Sequence, residues 1–126
     1  MIFAYFEIDS IMNDLIKLEE QRRIILPEIY KDFYKRCFVS IPKKLIGTDL
    51  LNNYPELNKY AFELIKGDGA DNFLKEDDFV FMMHQGYIFW FFEADGNPDP
   101  LVYGYHETNM FPHKIDRLSK FIEDYI

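Results

Sequence analysis

The stretch that decides the fold is FVFMMHQGYIFWFFEADGNPDPLVYGYHE, from Phe79 to Glu107. It contains three short runs of apolar and aromatic residues, separated by two turn signals. Gln85-Gly86 divides the first run from the second, and residues 95–100 divide the second from the third. Aromatic and β-branched residues favour a pleated, half-buried surface, whereas Gly, Pro, Asn and Asp favour turns. The pattern therefore predicts three antiparallel strands connected as a meander.

Apolar residues spaced three and four apart predict two helices before this stretch. The first begins after the capping residues Asp9 and Ser10 and ends at about Arg22. The second begins at Pro27, because proline fits the first turn of a helix, and ends at about Cys37. The buried sides are expected to be Ile11, Met12, Leu15 and Leu18 in the first helix and Tyr30, Phe33, Tyr34 and Cys37 in the second.

Two more helices and two weaker strands complete the predicted elements. The third helix is expected to have Asn53 as its cap and Pro55 in its first turn, and to end where Gly67 adopts a left-handed conformation. The last helix begins at about Asp116. Short strands are predicted near residues 44–48 and, at an edge, within residues 108–114. The apolar stripes are Leu57, Tyr60, Ala61, Leu64 and Ile65 in the third helix and Leu118, Phe121, Ile122 and Tyr125 in the last.

The order of these elements predicts the fold class. Helices come first, clustered strands second and a closing helix last, which is typical of an α+β domain with a mainly antiparallel sheet flanked by helices. With 126 residues, 48% of them hydrophobic, the chain can bury a core. No internal repeat or long linker divides it, so we expect one domain over residues 1–126.

Composition narrows the classes of partner. The formal net charge is −8, from 22 acidic and 14 basic residues. Such a balance repels nucleic acid and anionic membranes and attracts a basic protein. Aromatic residues make up 18% of the chain, and aromatics are enriched on binding faces as well as in cores. The alternative is that the charge only maintains solubility.

Cellular location and redox state follow from the N-terminus and the single cysteine. MIFAYFEIDS lacks the basic start and cleavage site of a leader, and no apolar run is long enough to span a membrane. Cys37 lies among Phe33, Tyr34 and Phe38 and is expected to be a buried, inert thiol. The cytoplasm is the predicted location.

Catalytic and metal-binding patterns are weak in this sequence. His84, His106 and His113 lack the spacing of a zinc motif, although His84 and His106 could approach one another across strands. Residues 95–99 combine Asp, Gly and Asn as calcium loops do, but Pro98 interrupts the ligand series. We expect no enzymatic activity, no cofactor and no metal.

Acidic and aromatic residues at the ends of the meander strands remain as candidates for partner binding. The start of the first strand of a hairpin lies beside the end of the second. The end formed by residues 71–78 and the connection 93–99 should therefore share one pole of the sheet, with Glu107 at the other. An exposed Tyr87 or Tyr105 is expected to add to this contact surface; the alternative is a merely solvated rim. The candidate contact residues are Asp71, Glu76, Asp77, Asp78, Tyr87, Glu93, Asp95, Asp99, Tyr105 and Glu107.

An ordered set of motifs covers most of the chain, roughly residues 24–125. A leucine-proline, Leu26-Pro27, enters an aromatic helix, and Leu45-Ile46-Gly47-Thr48-Asp49-Leu50 follows. Later come Gln85-Gly86-Tyr87, a strand ending in Phe91-Phe92, and Asp99-Pro100-Leu101-Val102-Tyr103. In this order and spacing the chain resembles the SUKH superfamily, also described as the Smi/Knr cell-wall-assembly-regulator family.

The resemblance implies an α+β fold and a function in protein binding. Bacterial members are implied to be immunity proteins that neutralise a cognate polymorphic toxin, often a nuclease, and the family offers no catalytic residues. We therefore expect a basic toxin domain as the partner, and a monomer or weak homodimer. One alternative is a regulatory or scaffolding module that binds a cellular protein. Another is an enzyme, which would depend on His84, His106 and the acidic loop.

Overall fold

The computed structural model describes residues 2–50 and 56–125. Within them the chain forms four α-helices and a five-stranded sheet, with a short 3₁₀ turn at Lys43–Leu45. The helices are α1 (Ile2–Arg22), α2 (Glu28–Val39), α3 (Glu56–Gly67) and α4 (Leu118–Tyr125). The strands are β1 (Thr48–Asp49), β2 (Asp78–His84), β3 (Ile88–Glu93), β4 (Leu101–His106) and β5 (His113–Arg117).

The strands follow one another in the order β1-β2-β3-β4-β5, and every neighbouring pair is antiparallel. The predicted meander is therefore confirmed, and so is the α+β class. At the β2–β3 turn, Gln85 and Gly86 have φ values of 51° and 80°. The amide of Tyr87 donates to the carbonyl oxygen of His84 over 3.2 Å. Two central residues with positive φ match the twist of the flanking strands, which explains the Gln-Gly signal.

The two faces of the sheet are covered differently. Helices α1, α2 and α4 pack on one face, which we call the helix-rich face, against Phe79, Phe81, Phe92 and other strand residues. Helix α3 packs on the opposite face, which we call the groove face, mainly against β2. Alternation along each strand distributes apolar side chains to both faces, so the strands are buried on two sides where helices cover them.

Side chains from helices on both faces of the sheet hold the start of β2. Arg22 at the end of α1 donates to the carbonyl oxygen of Asp78 over 2.8 Å. Asn58 of α3 donates to the same oxygen over 3.0 Å and accepts from the amide of Val80 over 2.9 Å. Within residues 2–50 and 56–125, strand β1 pairs with Met83 and His84 of β2. The Asn58 side chain satisfies backbone groups nearer the start of β2.

The first helix differs from its prediction, whereas the second agrees. Helix α1 begins at Ile2, so Asp9 and Ser10 lie inside it and cap nothing. Extending an existing helix costs little, and one Asp or Ser in its interior costs only a fraction of a kcal/mol. Helix α2 follows Pro27, and its predicted stripe, from Tyr30 to Cys37, is buried.

The end of α3 is also corrected. Gly67 is still helical, and the left-handed residue is Gly69, with φ of 72°. The amide of Ala70 donates to Ile65 O and that of Gly69 to Lys66 O, which is the pattern of a Schellman cap. Asn53 and Pro55, predicted at the start of this helix, lie outside the described residues. Tyr60 was predicted on the buried stripe but is 43% exposed.

Both of the weakly predicted strands begin later in the chain than expected. Near residues 44–48 the chain forms a 3₁₀ turn that buries Leu45, and the strand begins only at Thr48. The predicted edge strand within 108–114 starts at His113, because Thr108 and Met110 have positive φ and hold the preceding residues in a loop. Helix α4 consequently starts at Leu118, two residues after its predicted start at Asp116.

Candidate functional site

An open groove of about 440 Å³ lies on the groove face, beside the area that α3 covers. Strands β3, β4 and β5 and the segment that precedes β2 contribute its walls. A groove lined by aromatic side chains with a few converging polar groups is the usual form of a binding site. The lining residues are Phe73, Lys75, Asp78, Phe91, Glu93, Asp95, Asn97, Pro100, Leu101, Tyr103, Pro112 and Arg117.

Strand register places the aromatic floor of the groove. Phe91 of β3 pairs with Tyr103 of β4, and their rings stack with centroids 5.5 Å apart. Phe73, from the segment before β2, stacks on Phe91 at 5.8 Å. Phe91 is buried, whereas Tyr103 and Phe73 are half-buried, so these two rings are the aromatic surface that the groove presents to solvent. Flat, rigid rings of this kind provide contact area at a low cost in conformational entropy.

One end of the groove is acidic. Lys75 forms an ion pair with Glu93, and the Lys75 backbone amide donates to Oδ2 of Asp78 over 2.8 Å. The carboxylates of Asp77, Asp78 and Glu93 can bring one oxygen each within 4.8 Å of one another. The hydrogen bond to Glu93 raises the pKa of Lys75, and burial raises the pKa of Asp78.

The connection between β3 and β4 continues this acidic end. Asp95 accepts a hydrogen bond from the Asn97 amide over 3.1 Å, which holds the pKa of Asp95 below its usual value, with a further contribution from Glu93. The Asn97 side chain accepts in turn from the Asp99 amide over 2.9 Å. These oxygens therefore organise a turn between strands, as Asp and Asn side chains commonly do.

Asp99 has a structural task at the start of α4. Its two carboxylate oxygens accept hydrogen bonds from the Ser119 amide over 2.8 Å and from the Ser119 hydroxyl over 2.7 Å. Its carbonyl oxygen accepts from Arg117 over 3.1 Å. A carboxylate near the first amides of a helix satisfies donors that have no partner inside the helix.

An apolar loop adjoins the other end of the groove. Phe111 is 70% exposed and Met110 45% exposed, and both border a shallow depression of about 390 Å³ that Phe73 also lines. Thr108 and Met110 have φ of 69° and 73°, a region that costs energy for residues other than glycine. Asp68 holds this loop by accepting from the Thr108 amide over 2.9 Å. We call residues 107–112 the β4–β5 loop.

The structure brings about half of the predicted contact residues together. The pairing of Asp78 with Glu93 confirms that the start of β2 and the end of β3 share one pole, and Glu107 lies at the other. The predicted contact residues at the acidic pole are Glu76, Asp77, Asp78, Glu93 and Asp95, with Asp99 nearby on the cap of α4.

Three of the predicted contact residues were placed wrongly or lie elsewhere. Tyr105 was expected to be exposed but is fully buried, and its hydroxyl donates to Asp68 over 2.6 Å. The Tyr105 side chain lies on the groove face, where α3 and Phe73 cover it. Asp71 lies beside Met110 and Phe111, away from the acidic pole. Tyr87 is half-buried at the opposite pole.

The histidines and the cysteine take no part in the groove. His84 and His106 flank the Tyr87 ring, with centroids 6.0 Å and 5.9 Å from it, and strand β3 separates their strands. His84 also lies 3.2 Å from the Thr48 hydroxyl. Burial raises the pKa of the Cys37 thiol to about 11, which disfavours the nucleophilic thiolate at neutral pH.

Sequence reasoning missed Phe73, Lys75, Met110, Phe111 and Arg117. Phe111 could have been noticed as a large apolar residue in a polar connection between two strands. Phe73, Lys75 and Arg117 could not, because only the tertiary fold brings the segment before β2 across the sheet toward β5.

No helix in residues 2–50 and 56–125 has the length and apolar character needed to cross a membrane. Comparison of the chain with protein-family models, with curated proteins and with solved structures found no match.

Proposed function

We propose that this chain is a cytoplasmic bacterial immunity protein of the SUKH type. It binds a basic toxin domain through the groove and the adjoining β4–β5 loop and makes or breaks no covalent bond. The observation that carries the proposal is an uncovered part of the sheet on which an aromatic floor, an acidic end and an exposed apolar loop are contiguous. Protein interfaces combine such an apolar, aromatic centre with a polar rim.

Charge supports a basic partner. The chain carries a net charge of −8, and the acidic pole concentrates part of that charge beside the groove. A nuclease toxin must present positive charge to its nucleic acid. An acidic inhibitor surface would meet that positive region, exclude the nucleic acid and increase the rate of association.

The β4–β5 loop supports a protein, rather than a small molecule, as the partner. Phe111 projects into solvent from a backbone that is strained at Thr108 and Met110. Strained segments persist where the surrounding structure enforces them, and they are common at binding and switch regions. An exposed phenylalanine beside a groove fits a pocket on a second protein, where buried aromatic residues dominate the binding energy.

Co-expression in the native host tests the proposal. If the chain is an immunity protein, the toxin encoded beside it should stop growth when expressed alone, and co-expression of the chain should restore growth. The purified proteins should form an equimolar complex in light scattering after gel filtration. Absence of both rescue and complex formation would refute the toxin partner. A complex with a cellular protein instead would favour the regulatory alternative.

A matched pair of charge variants tests whether the acidic pole makes the contact. Glu76→Lys with Asp95→Lys should slow association and reduce its dependence on salt, since both side chains are exposed at this pole. Glu63→Lys with Glu123→Lys changes the net charge equally on the exposed faces of α3 and α4 and serves as the control. Equal association rates for the two double variants would contradict the proposed surface.

A further inference from the structure

The acidic end of the groove already holds a cation from this chain. The ammonium group of Lys75 pairs with Glu93, although 63% of the lysine side chain is exposed. The neighbouring carboxylates of Asp78 and Asp77 also favour the charged form of Lys75. An exposed pair of this kind contributes little stability and exchanges readily with competing ions. The position therefore attracts a cation without holding it firmly.

Negative charge exceeds positive charge at this end. Four carboxyl groups lie there, those of Asp77, Asp78, Glu93 and Asp95, and the first three can bring one oxygen each within 4.8 Å of one another. Lys75 pairs with one of them. Arg22 approaches from the other layer and bonds to backbone oxygens of Glu76 and Asp78, not to carboxylates. This end of the groove therefore remains negative with Lys75 in place, and it attracts other cations that can compete for Glu93.

An aromatic ring lies within reach of the same carboxylates. Tyr103 pairs directly with Phe91, and Glu93 follows two residues later on the same face of β3. Such diagonal neighbours lie about 7–8 Å apart, which a long side chain can span. Arg117 of β5 pairs with Leu101 of β4, so its Cα atom lies two strand spacings, roughly 9–10 Å, from that of Glu93 on β3.

We propose that this end of the groove is a clamp for an arginine side chain of the protein partner. The guanidinium pairs with Glu93 and stacks on the ring of Tyr103, and Lys75 is the internal cation that it replaces. This inference rests on the proposed function, because it names the chemistry by which a basic partner is anchored. A buried arginine at the centre of an interface is a frequent determinant of affinity.

Arginine fits this arrangement better than lysine. The planar guanidinium can stack on an aromatic face while its edge donates two parallel hydrogen bonds to one carboxylate. An ammonium group makes a point contact and is more strongly hydrated. Lys75 therefore occupies the carboxylate but cannot use the ring of Tyr103 in the same way, which lets an incoming arginine compete.

A blocked tripeptide, acetyl-Gly-Arg-Gly-amide, is a suitable probe for NMR titration of the isotope-labelled full chain at low salt. We expect saturable shifts centred on the backbone amides of Glu93 and Tyr103. The lysine analogue should bind more weakly, and the citrulline analogue, which has the same shape without the charge, should cause no shift there.

Matched variants separate the two parts of the clamp. Glu93→Gln should lower the affinity for the arginine peptide by about tenfold, whereas Glu63→Gln on the exposed surface of α3 should leave it unchanged. Tyr103→Leu keeps the floor apolar but removes the aromatic face, and a loss of roughly threefold is expected. Tyr60→Leu, at an exposed tyrosine of α3, is its control.

Lys75→Ser tests whether the arginine of the partner competes with Lys75 for Glu93. Removing the internal cation should raise the affinity for the arginine peptide by about threefold, a gain that a purely structural role of Lys75 would not produce. The clamp would be refuted if the citrulline peptide shifted the same amides equally, or if Lys75→Ser weakened binding or left it unchanged.

These outcomes also separate the clamp from the proposed function. Arginine-dependent shifts in a chain that fails to neutralise the adjacent toxin would support the clamp and contradict the immunity role. Toxin neutralisation that Glu93→Gln and Tyr103→Leu both leave intact would support the immunity role and contradict the clamp.

Discussion

Helices cover the helix-rich face of the sheet fully and the groove face only in part, and this difference decides how deeply similar aromatic side chains are buried. Phe92 and Tyr103 lie on neighbouring strands, and both belong to the same meander. Phe92 is buried beneath three helices, whereas Tyr103 remains half-buried because α3 and Phe73 cover β4 at Tyr105 and not at Tyr103. The helix-rich face thus contributes stability, and the uncovered part of the groove face provides the surface for binding.

The largest expected effect tests this division directly. Phe92→Ala should lower the free energy of unfolding by about 3–5 kcal/mol, because it opens a cavity among Tyr30, Phe79 and Phe81. Tyr103→Ala should cost about 1 kcal/mol or less, since solvent already reaches its ring. Urea denaturation of both variants measures the difference. Similar losses would mean that the groove face is part of the stabilising core.

Alkaline pH should lower the stability of the groove face through ionisation of Tyr105. Burial and the hydrogen bond to Asp68 raise the pKa of Tyr105 to about 12 from 10.0. A raised pKa in the folded state gives stability that is present below pH 10 and is lost as pH rises toward 12. The loss should be about 1–2 kcal/mol, reduced by solvent near the hydroxyl group. Chemical denaturation at several pH values should show a smaller decline in Tyr105→Phe than in the natural chain.

Replacing a tyrosine by phenylalanine should change the free energy of unfolding in opposite directions on the two faces. The Tyr30 hydroxyl is buried on the helix-rich face without a hydrogen-bond partner among the described residues. Tyr30→Phe removes that unsatisfied group and should raise the free energy of unfolding by about 1 kcal/mol. Tyr105→Phe at neutral pH removes the hydrogen bond to Asp68 and should lower it by about 1 kcal/mol. Thermal and urea unfolding would distinguish these shifts; a loss of stability in Tyr30→Phe would show that its hydroxyl is satisfied.

The smallest predicted effect concerns the β4–β5 loop. Thr108 adopts φ of 69°, which a β-branched residue tolerates poorly and asparagine tolerates better. Thr108→Asn should therefore raise stability by about 0.5 kcal/mol while leaving the Asp68 contact with the backbone amide in place. The melting temperature is the measurement, and an unchanged or lower value would show that the loop is not strained in solution.

Local sequence patterns were sufficient for the strands and for several helices. The alternation of apolar residues and the Gln-Gly signal predicted the meander, because strand and turn preferences act between close neighbours. The joint position of Asp78 and Glu93 followed from hairpin geometry alone. The cap of α3 was misassigned by two residues, since Gly67 and Gly69 carry the same local signal and only the hydrogen bonds distinguish them.

By itself, the sequence of this protein determined an α+β class, an antiparallel meander, a buried α2 stripe and a net negative charge. These properties arise from preferences of neighbouring residues and from composition, which do not depend on distant contacts. Tertiary structure alone decided that Tyr105 is buried, that Asp99 caps α4, and that Phe73, Lys75 and Arg117 meet around one groove. Those outcomes depend on which part of each sheet face a helix covers, and that is set by packing between residues far apart in the chain.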